Sequence, residues 1–256
     1  MDRYYSSTFY DTQRDDSVRS AERVVPYLTD VLAPQSVLDV GCGVGGWVKA
    51  FKSAGATTAH GVDGSWARDG VLLIPDADFS EFDFMQAPTP FSPEGLLDRY
   101  DLVTTFEVVE HLPHNRAADL ADFFVAKADA VVIGGAIPGQ GGSHHINEQW
   151  PSYWAHLMSE RGYIACDFIR PALWDDENIL PWYKQNSIGY FKNTVPAGVI
   201  ERARSEWERR IFDPLSLVHP DIFVDRCREG ASTMANVLRI ANVMTRRMGK
   251  RILGRD

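Results

Sequence analysis

The sequence predicts an α/β fold, a doubly wound and mostly parallel seven-stranded sheet with helical additions at both ends. Short apolar runs at 36–40, 58–62, 100–106 and 130–136 alternate with segments of helical periodicity, the pattern of βαβ units. The first run opens directly into Gly41-Cys-Gly-Val-Gly-Gly46, a tight passage from a buried strand to a helix. The 256 residues, 45% hydrophobic and 24% charged, suit one large globular domain that needs no disulfide or structural metal to close its core.

Taken in order, Ser17 to Leu32 reads as a helix. Val18, Ala21, Val24, Val25, Leu28 and Leu32 recur at helical spacing, and Pro34 stops it. Ser36–Val40 is the first strand, and Gly46 to Ala54 the next helix, ended by Gly55. Thr58 to Val62 is the second strand, with Asp63 just beyond it, and Val71 to Ile74 the third. Tyr100 to Phe106 is the fourth, Arg116 to Ala128 a helix, and Ala130 to Ala136 the fifth. A helix from Pro151 to Arg161 leads to a sixth strand, Tyr163 to Ile169, and Ser187 to Lys192 is the seventh. The chain from Pro196 onward is mostly helical, and Arg239 to Arg255 carries six basic residues among apolar ones. That tail reads as a docked helix with a solvated basic face, the alternative being a helix for a membrane surface or a partner. The organisation is a single domain over 1–256: an arm and helix at 1–34, a core at 35–195, and a helical extension at 196–256.

Charge and cysteine content narrow the classes. A formal net charge of −9 argues against a nucleic-acid partner, which calls for a basic face. Cys42, Cys166 and Cys227 are odd in number and far apart, so neither a disulfide framework nor a zinc site is indicated and a reducing cytoplasm is expected. No apolar run approaches the roughly 18 residues that span a bilayer. The polar, aromatic stretch from Met1 to Asp16 is unlike a signal peptide. Tyr4, Tyr5, Phe9 and Tyr10 within it form an aromatic cluster, either a lid or a docked arm. A homodimer is compatible with these features.

On doubly wound sheets, ligands bind at the carboxyl ends of the strands, so the informative loops follow strands one, two, four and five. In the first loop, Gly41, Gly43 and Gly46 satisfy the G-x-G-x-x-G pattern of NAD-binding proteins, and Asp63 suits ribose hydroxyls in any nucleotide cofactor. This loop alone leaves the cofactor open. Asp39 extends it to D-x-G-x-G-x-G through Gly41, Gly43 and Gly45, which resembles motif I of class I S-adenosylmethionine (SAM) methyltransferases. The resemblance implies that this loop wraps the methionine part of SAM and that Asp63 binds the ribose. Asp83-Phe84 resembles the acidic-apolar pair that contacts adenine, and Phe106-Glu-Val-Val-Glu-His-Leu-Pro113 resembles the segment after strand four. Asp39, Gly41, Gly43, Gly45, Asp63, Asp83, Phe84 and Glu107 are therefore the expected SAM contacts.

Methyl transfer to a hydroxyl needs donor and acceptor aligned and a proton removed. The loop after strand five, Ile137 to Trp154, holds adjacent histidines in a glycine-rich stretch, where catalytic groups tend to lie. His144 or His145 is the expected general base, with His144 preferred. Glu107, Glu110 and His111 are spaced i, i+3 and i+4, so on a helix they would share one face. With His144 or His145 they resemble the two-Glu, two-His metal site of RNA 2′-O-methyltransferases. That implies Mg²⁺ or Mn²⁺ held by Glu107, Glu110, His111 and His144, with zinc also chemically acceptable. Equally, the same residues can shape a metal-free pocket.

Trp174 and Trp182-Tyr-Lys-Gln-Asn186 would suit a polyhydroxylated ligand or else complete the core. Gly141 to Trp154 and 182–186 resemble bacterial methyltransferases of sugars and polysaccharides, the mycobacterial methylmannose-polysaccharide enzymes among them. The expected function is SAM-dependent O-methylation of a saccharide or similar small polar acceptor. The alternatives are an NAD-linked oxidoreductase, from the glycine overlap, and a non-catalytic SAM-binding or interaction protein, from the basic tail.

Overall fold

A computed structural model describes residues 7–208 and 217–228. Tyr4, Tyr5, the side chains of Phe9 and Tyr10, and the Arg239 to Arg255 tail lie outside the described residues. Contacts divide the chain into two units, Met1–Leu217 and Val218–Asp256. In the second unit, residues 220–228 are helical, with the Phe223 N–H on the His219 carbonyl at 3.0 Å.

The first unit runs α1 (Ser7–Leu32), β1 (Ser36–Val40), α2 (Gly46–Ser53), β2 (Thr58–Asp63), β3 (Phe79–Glu81), β4 (Leu102–Phe106), α3 (Ala117–Lys127), β5 (Ala130–Gly134), α4 (Pro151–Ser159), β6 (Tyr163–Cys166), α5 (Ile169–Leu173), α6 (Pro181–Asn186), β7 (Ser187–Lys192) and α7 (Ala197–Glu208). The strands form one sheet in the order β3-β2-β1-β4-β5-β7-β6. All pairings are parallel except those of β7, which runs antiparallel to both β5 and β6. This is the doubly wound, mostly parallel seven-stranded sheet that the alternating pattern predicts.

β4 and β5 are buried along their whole length, which is why they read as continuous apolar runs and not as alternations. One core cluster, built on Val24, Leu28, Phe51 and Phe168, lies on one face of the sheet. The other, built on Leu120, Phe124, Met158 and Tyr190, lies on the opposite face.

Three departures from the sequence reading have physical causes. The third strand is not Val71 to Ile74: Val71 is 76% exposed, and the segment is pinned to the glycine loop by the Leu73 N–H on the Val44 carbonyl at 2.8 Å. Its apolar residues cover that loop, and the strand that pairs with β2 is the three-residue Phe79–Glu81, too short to show a period. The sixth strand stops at Cys166 because Asp167 and Arg170 turn inward as a wholly buried ion pair, and α5 follows. Finally, α1 begins at Ser7 and not Ser17, since its polar first turns bear no apolar stripe.

Candidate active site

The chain leaves β1 through Gly41, Gly43 and Gly45, all at positive φ (76°, 53° and 88°). These glycines do different work. A Cβ on Gly41 would sit 2.3 Å from a Val108 methyl, whereas a Cβ on Gly43 would meet nothing within 4 Å. The space over Gly43 is thus open, so a ligand can approach the backbone there as closely as a nucleotide cofactor requires. Asp63 stands at its wall, with Oδ2 accepting from the Gly43 N–H and Oδ1 from the Gly64 N–H, each at 2.7 Å. Burial raises the Asp63 pKa, those N–H groups and Trp66 hold it down, and the Asp83 charge raises it again.

Asp39 lies beneath the cradle, 2% exposed, and accepts from the Thr104 hydroxyl at 2.8 Å. Burial pushes its carboxyl up to about 7, against the Thr104 hydrogen bond and with help from the Asp63 charge. Asp83 uses Oδ1 to take the Met85 N–H at 2.8 Å, closing its own turn. Phe84 does not face the cradle. Its ring is 6% exposed and packs with Phe91 and Phe123 at 5.1 and 5.4 Å between centroids, so it is a core residue and not an adenine contact. The exposed ring nearest Asp63 in the chain is Trp66, 53% exposed, which lies over Gly64 and was not singled out in the sequence.

At the end of β4 the helix on which the i, i+3, i+4 face depended does not form. Glu107 is left-handed (φ 55°), its N–H held by the Gly134 carbonyl, and only Val109–His111 makes a 3₁₀ turn. The shared face of Glu107, Glu110 and His111 is therefore lost. Glu107 turns instead into buried amides: Oε1 accepts from Asn186 Nδ2 at 2.7 Å, and Oε2 from Gln140 Nε2 at 2.8 Å. Burial raises its pKa to about 7 although those two amides lower it. Gln185 bonds to both Gln140 and Asn186, at 3.2 and 2.9 Å. The 182–186 segment thus serves the interior, with Tyr183 7% and Gln185 0% exposed; only Trp182 is partly open. The sequence reading missed Gln140, Gln185 and Asn186 as partners of Glu107, because nothing in their spacing links them.

Glu110, His111 and His145 converge, with ligand atoms all within 4.8 Å of one another. His144, preferred from sequence, is outside this set, exposed and left-handed (φ 59°), and Glu107 is outside it too. Glu110 is 0% exposed, and its carboxylate faces its own and the Ala136 N–H groups and the Glu107 side chain without a well-formed hydrogen bond to any of them. Burial and then the Glu107 charge hold its pKa well above the usual range. Its nearest ionic partner is His145, with Nε2 3.8 Å from Oε1. The His111 ring meets the His145 ring edge-on at 4.9 Å, and burial and the His145 charge lower its pKa to about 4. Two imidazoles beside a buried carboxylate form a donor set that fits a divalent cation. Asn147 Nδ2 and Trp154 Nε1, also buried, lack partners as well.

Arg170 and Asp167 adjoin this network from the far side, with Nε on Oδ1 at 2.9 Å and the guanidinium reaching the Gln185 carbonyl at 3.5 Å. Among the described residues no helix is long and apolar enough to cross a membrane.

A family model described as a methyltransferase domain matches residues 10–133, which takes in the glycine loop, Asp63 and the 107–111 segment. That stretch, just under half of the chain, is thus similar to a methyltransferase domain. Magnesium protoporphyrin IX methyltransferase from Synechocystis PCC 6803, solved with bound SAH, is similar at 17% identity and TM-score 0.50, over 75% of this chain and 90% of that one. The methyltransferase domain of bacterial CtHen1-C is similar at 20% identity and TM-score 0.46, over 69% and 98% of the two chains. The plantazolicin methyltransferase BpumL, in complex with SAH, is similar at 16% identity and TM-score 0.48, over 73% and 88%. No curated protein matches the sequence.

Proposed function

We propose that the protein is a SAM-dependent O-methyltransferase acting on a hydroxyl of a saccharide or similar small polar molecule, with a divalent cation held by Glu110, His111 and His145. One observation carries the reading. The open glycine cradle after β1 and the Glu/His cluster after β4 and β5 lie at the same ends of neighbouring strands, β4 being paired with both β1 and β5. Donor and acceptor sites would then be adjacent, as in-line transfer requires.

In this reading the open face of the 41–45 loop and the Asp63 carboxylate bind SAM, whose sulfonium supplies an already activated methyl group. Asp39 lends negative charge beneath it. Mg²⁺ or Mn²⁺ in the cluster supplies Lewis acidity, which lowers the pKa of a hydroxyl and orients it. Glu110, His111 and His145 hold the cation, and His144 on the exposed rim accepts the hydroxyl proton. Ile146 and Trp150, 59% and 37% exposed on the same loop, offer apolar surface to the C–H face of a sugar ring. The net charge of −9 speaks against a polyanionic acceptor. The NAD-linked alternative rested on the G-x-G-x-x-G overlap alone, and the methyltransferase match runs through that same loop.

Transfer of labelled methyl from SAM to a panel of sugars, polyols and amines, before and after exhaustive chelation, tests this. Labelled sugars, lost on chelation and restored by Mn²⁺, are the expected result. Methylation of amines alone would overturn the O-transfer, and full activity after chelation would overturn the cation.

A further inference from the structure

Glu148 bonds to three groups, and all three lie on the loop that presents His145. Its Oε2 accepts from the Gly139 N–H and its Oε1 from the Gly141 N–H, each at 2.7 Å. The same Oε1 faces His145 Nδ1 at 3.2 Å. On the other side of the ring, Nε2 points to Glu110 Oε1 at 3.8 Å. Beneath the ring is Gly142, where a Cβ would fall 2.4 Å from Cε1 and Nε2, so no larger residue fits there while the ring keeps its place. The imidazole is thus held at one nitrogen and along one face, with its far edge turned towards Glu110.

We propose that Glu148 is a positioning residue that fixes His145 as the Nδ1–H tautomer, with the Nε2 lone pair turned towards Glu110 and His111. An ionised carboxylate can only accept, so the Nδ1 it faces must carry the proton, and in a neutral ring the second nitrogen is then bare. A bare Nε2 is what a cation or a hydroxyl proton requires; the opposite tautomer would aim an N–H at Glu110 and close the site. A carboxylate behind a ligating histidine sets ring orientation and basicity in this way, and its loss commonly costs 10–100-fold in metal affinity. The two glycine N–H bonds give Glu148 a second task, since they tie both ends of 139–141 to the base of the histidine turn. The proposal builds on the reading of Glu110, His111 and His145 as cation ligands, but the tautomer is a property of the cation-free chain.

The test is nitrogen NMR of the histidine side chains in the cation-free protein at pH 8.5, with His145 assigned by His145→Gln. Expected is an Nδ1–H ring with bare Nε2, shifting towards a tautomer mixture in Glu148→Gln. Titration with Mn²⁺ should show 10–100-fold weaker binding by that variant than by the wild type. A wild-type ring protonated at Nε2, or at both nitrogens, would overturn the proposal whether or not the variant folds. So would a folded variant with the wild-type tautomer and Mn²⁺ affinity. A wild type that shows the Nδ1–H tautomer but binds no Mn²⁺ would support the positioning role and overturn the cation reading instead.

Discussion

At the end of β1 the chain turns through three glycines within five residues, and the cradle it forms is backbone. At the ends of β4 and β5 the chain brings Glu110, His111 and His145 together from two separate loops, and that cluster is side chains. The first region is specified by residues adjacent in sequence, and its errors are steric. The second depends on burial and long-range hydrogen bonds, and its errors are chemical. A backbone site tolerates no added atom at Gly41, while a side-chain site can lose its function with the fold intact.

The largest expected effect falls on the side-chain region. His145→Ala should abolish Mn²⁺ binding and with it most of the turnover, since it removes one of the three residues that would hold the cation. His144→Ala should also impair turnover but leave Mn²⁺ binding intact; loss of Mn²⁺ binding in that variant instead would exchange the roles of the two histidines.

Next comes Gly41→Ala, which adds a Cβ against Val108 at a positive φ. Strain and overpacking together should cost about 3–5 kcal/mol in urea unfolding. Gly43→Ala sharpens the contrast. Its Cβ meets only open space, so stability should fall by only about 1–2 kcal/mol for the left-handed backbone, while calorimetry should show SAM binding weakened at least tenfold, about 1.4 kcal/mol. Equal stability losses in the two variants would remove the distinction between a packed and an open glycine.

Asp39 joins the two kinds of region, a buried charge under a backbone loop. Its carboxyl stands at about 7 in the fold against an ordinary 3.8. A carboxyl raised by folding binds protons more tightly in the native state, so it disfavours folding increasingly as pH climbs from about 4 to about 7. Unfolding of the SAM-free protein should therefore show wild type gaining on Asp39→Asn as pH falls through that window, by up to ~4 kcal/mol. A pH-independent difference would mean that the carboxyl is not held up by burial. The smallest effect belongs to the rim. Arg23 pairs with Asp176 at 2.8 Å but is 56% exposed, and Arg23→Ala should cost less than about 1 kcal/mol.

The strands with long apolar runs were legible because both faces of β4 and β5 are buried. The D-x-G-x-G-x-G loop was legible because backbone geometry demands glycine locally. β3 was not, because three residues carry no period, and the apolar 71–74 segment that mimicked a strand is cover for the glycine loop. The 137–154 loop stood out for its residue types, yet its inner arrangement did not: the adjacent His144 and His145 point to different fates.

The sequence by itself determined the α/β class, the position of the cofactor cradle and the two loops that face it, since these follow from local backbone needs and periodic burial. Only the tertiary structure decided that Glu107 withdraws to Gln140 and Asn186, that His145 joins Glu110 and His111, and that Phe84 belongs to the core. Those outcomes depend on which groups from distant segments meet in a space without water. There an unpaired carboxylate must find donors, and spacing along the chain does not encode where they are.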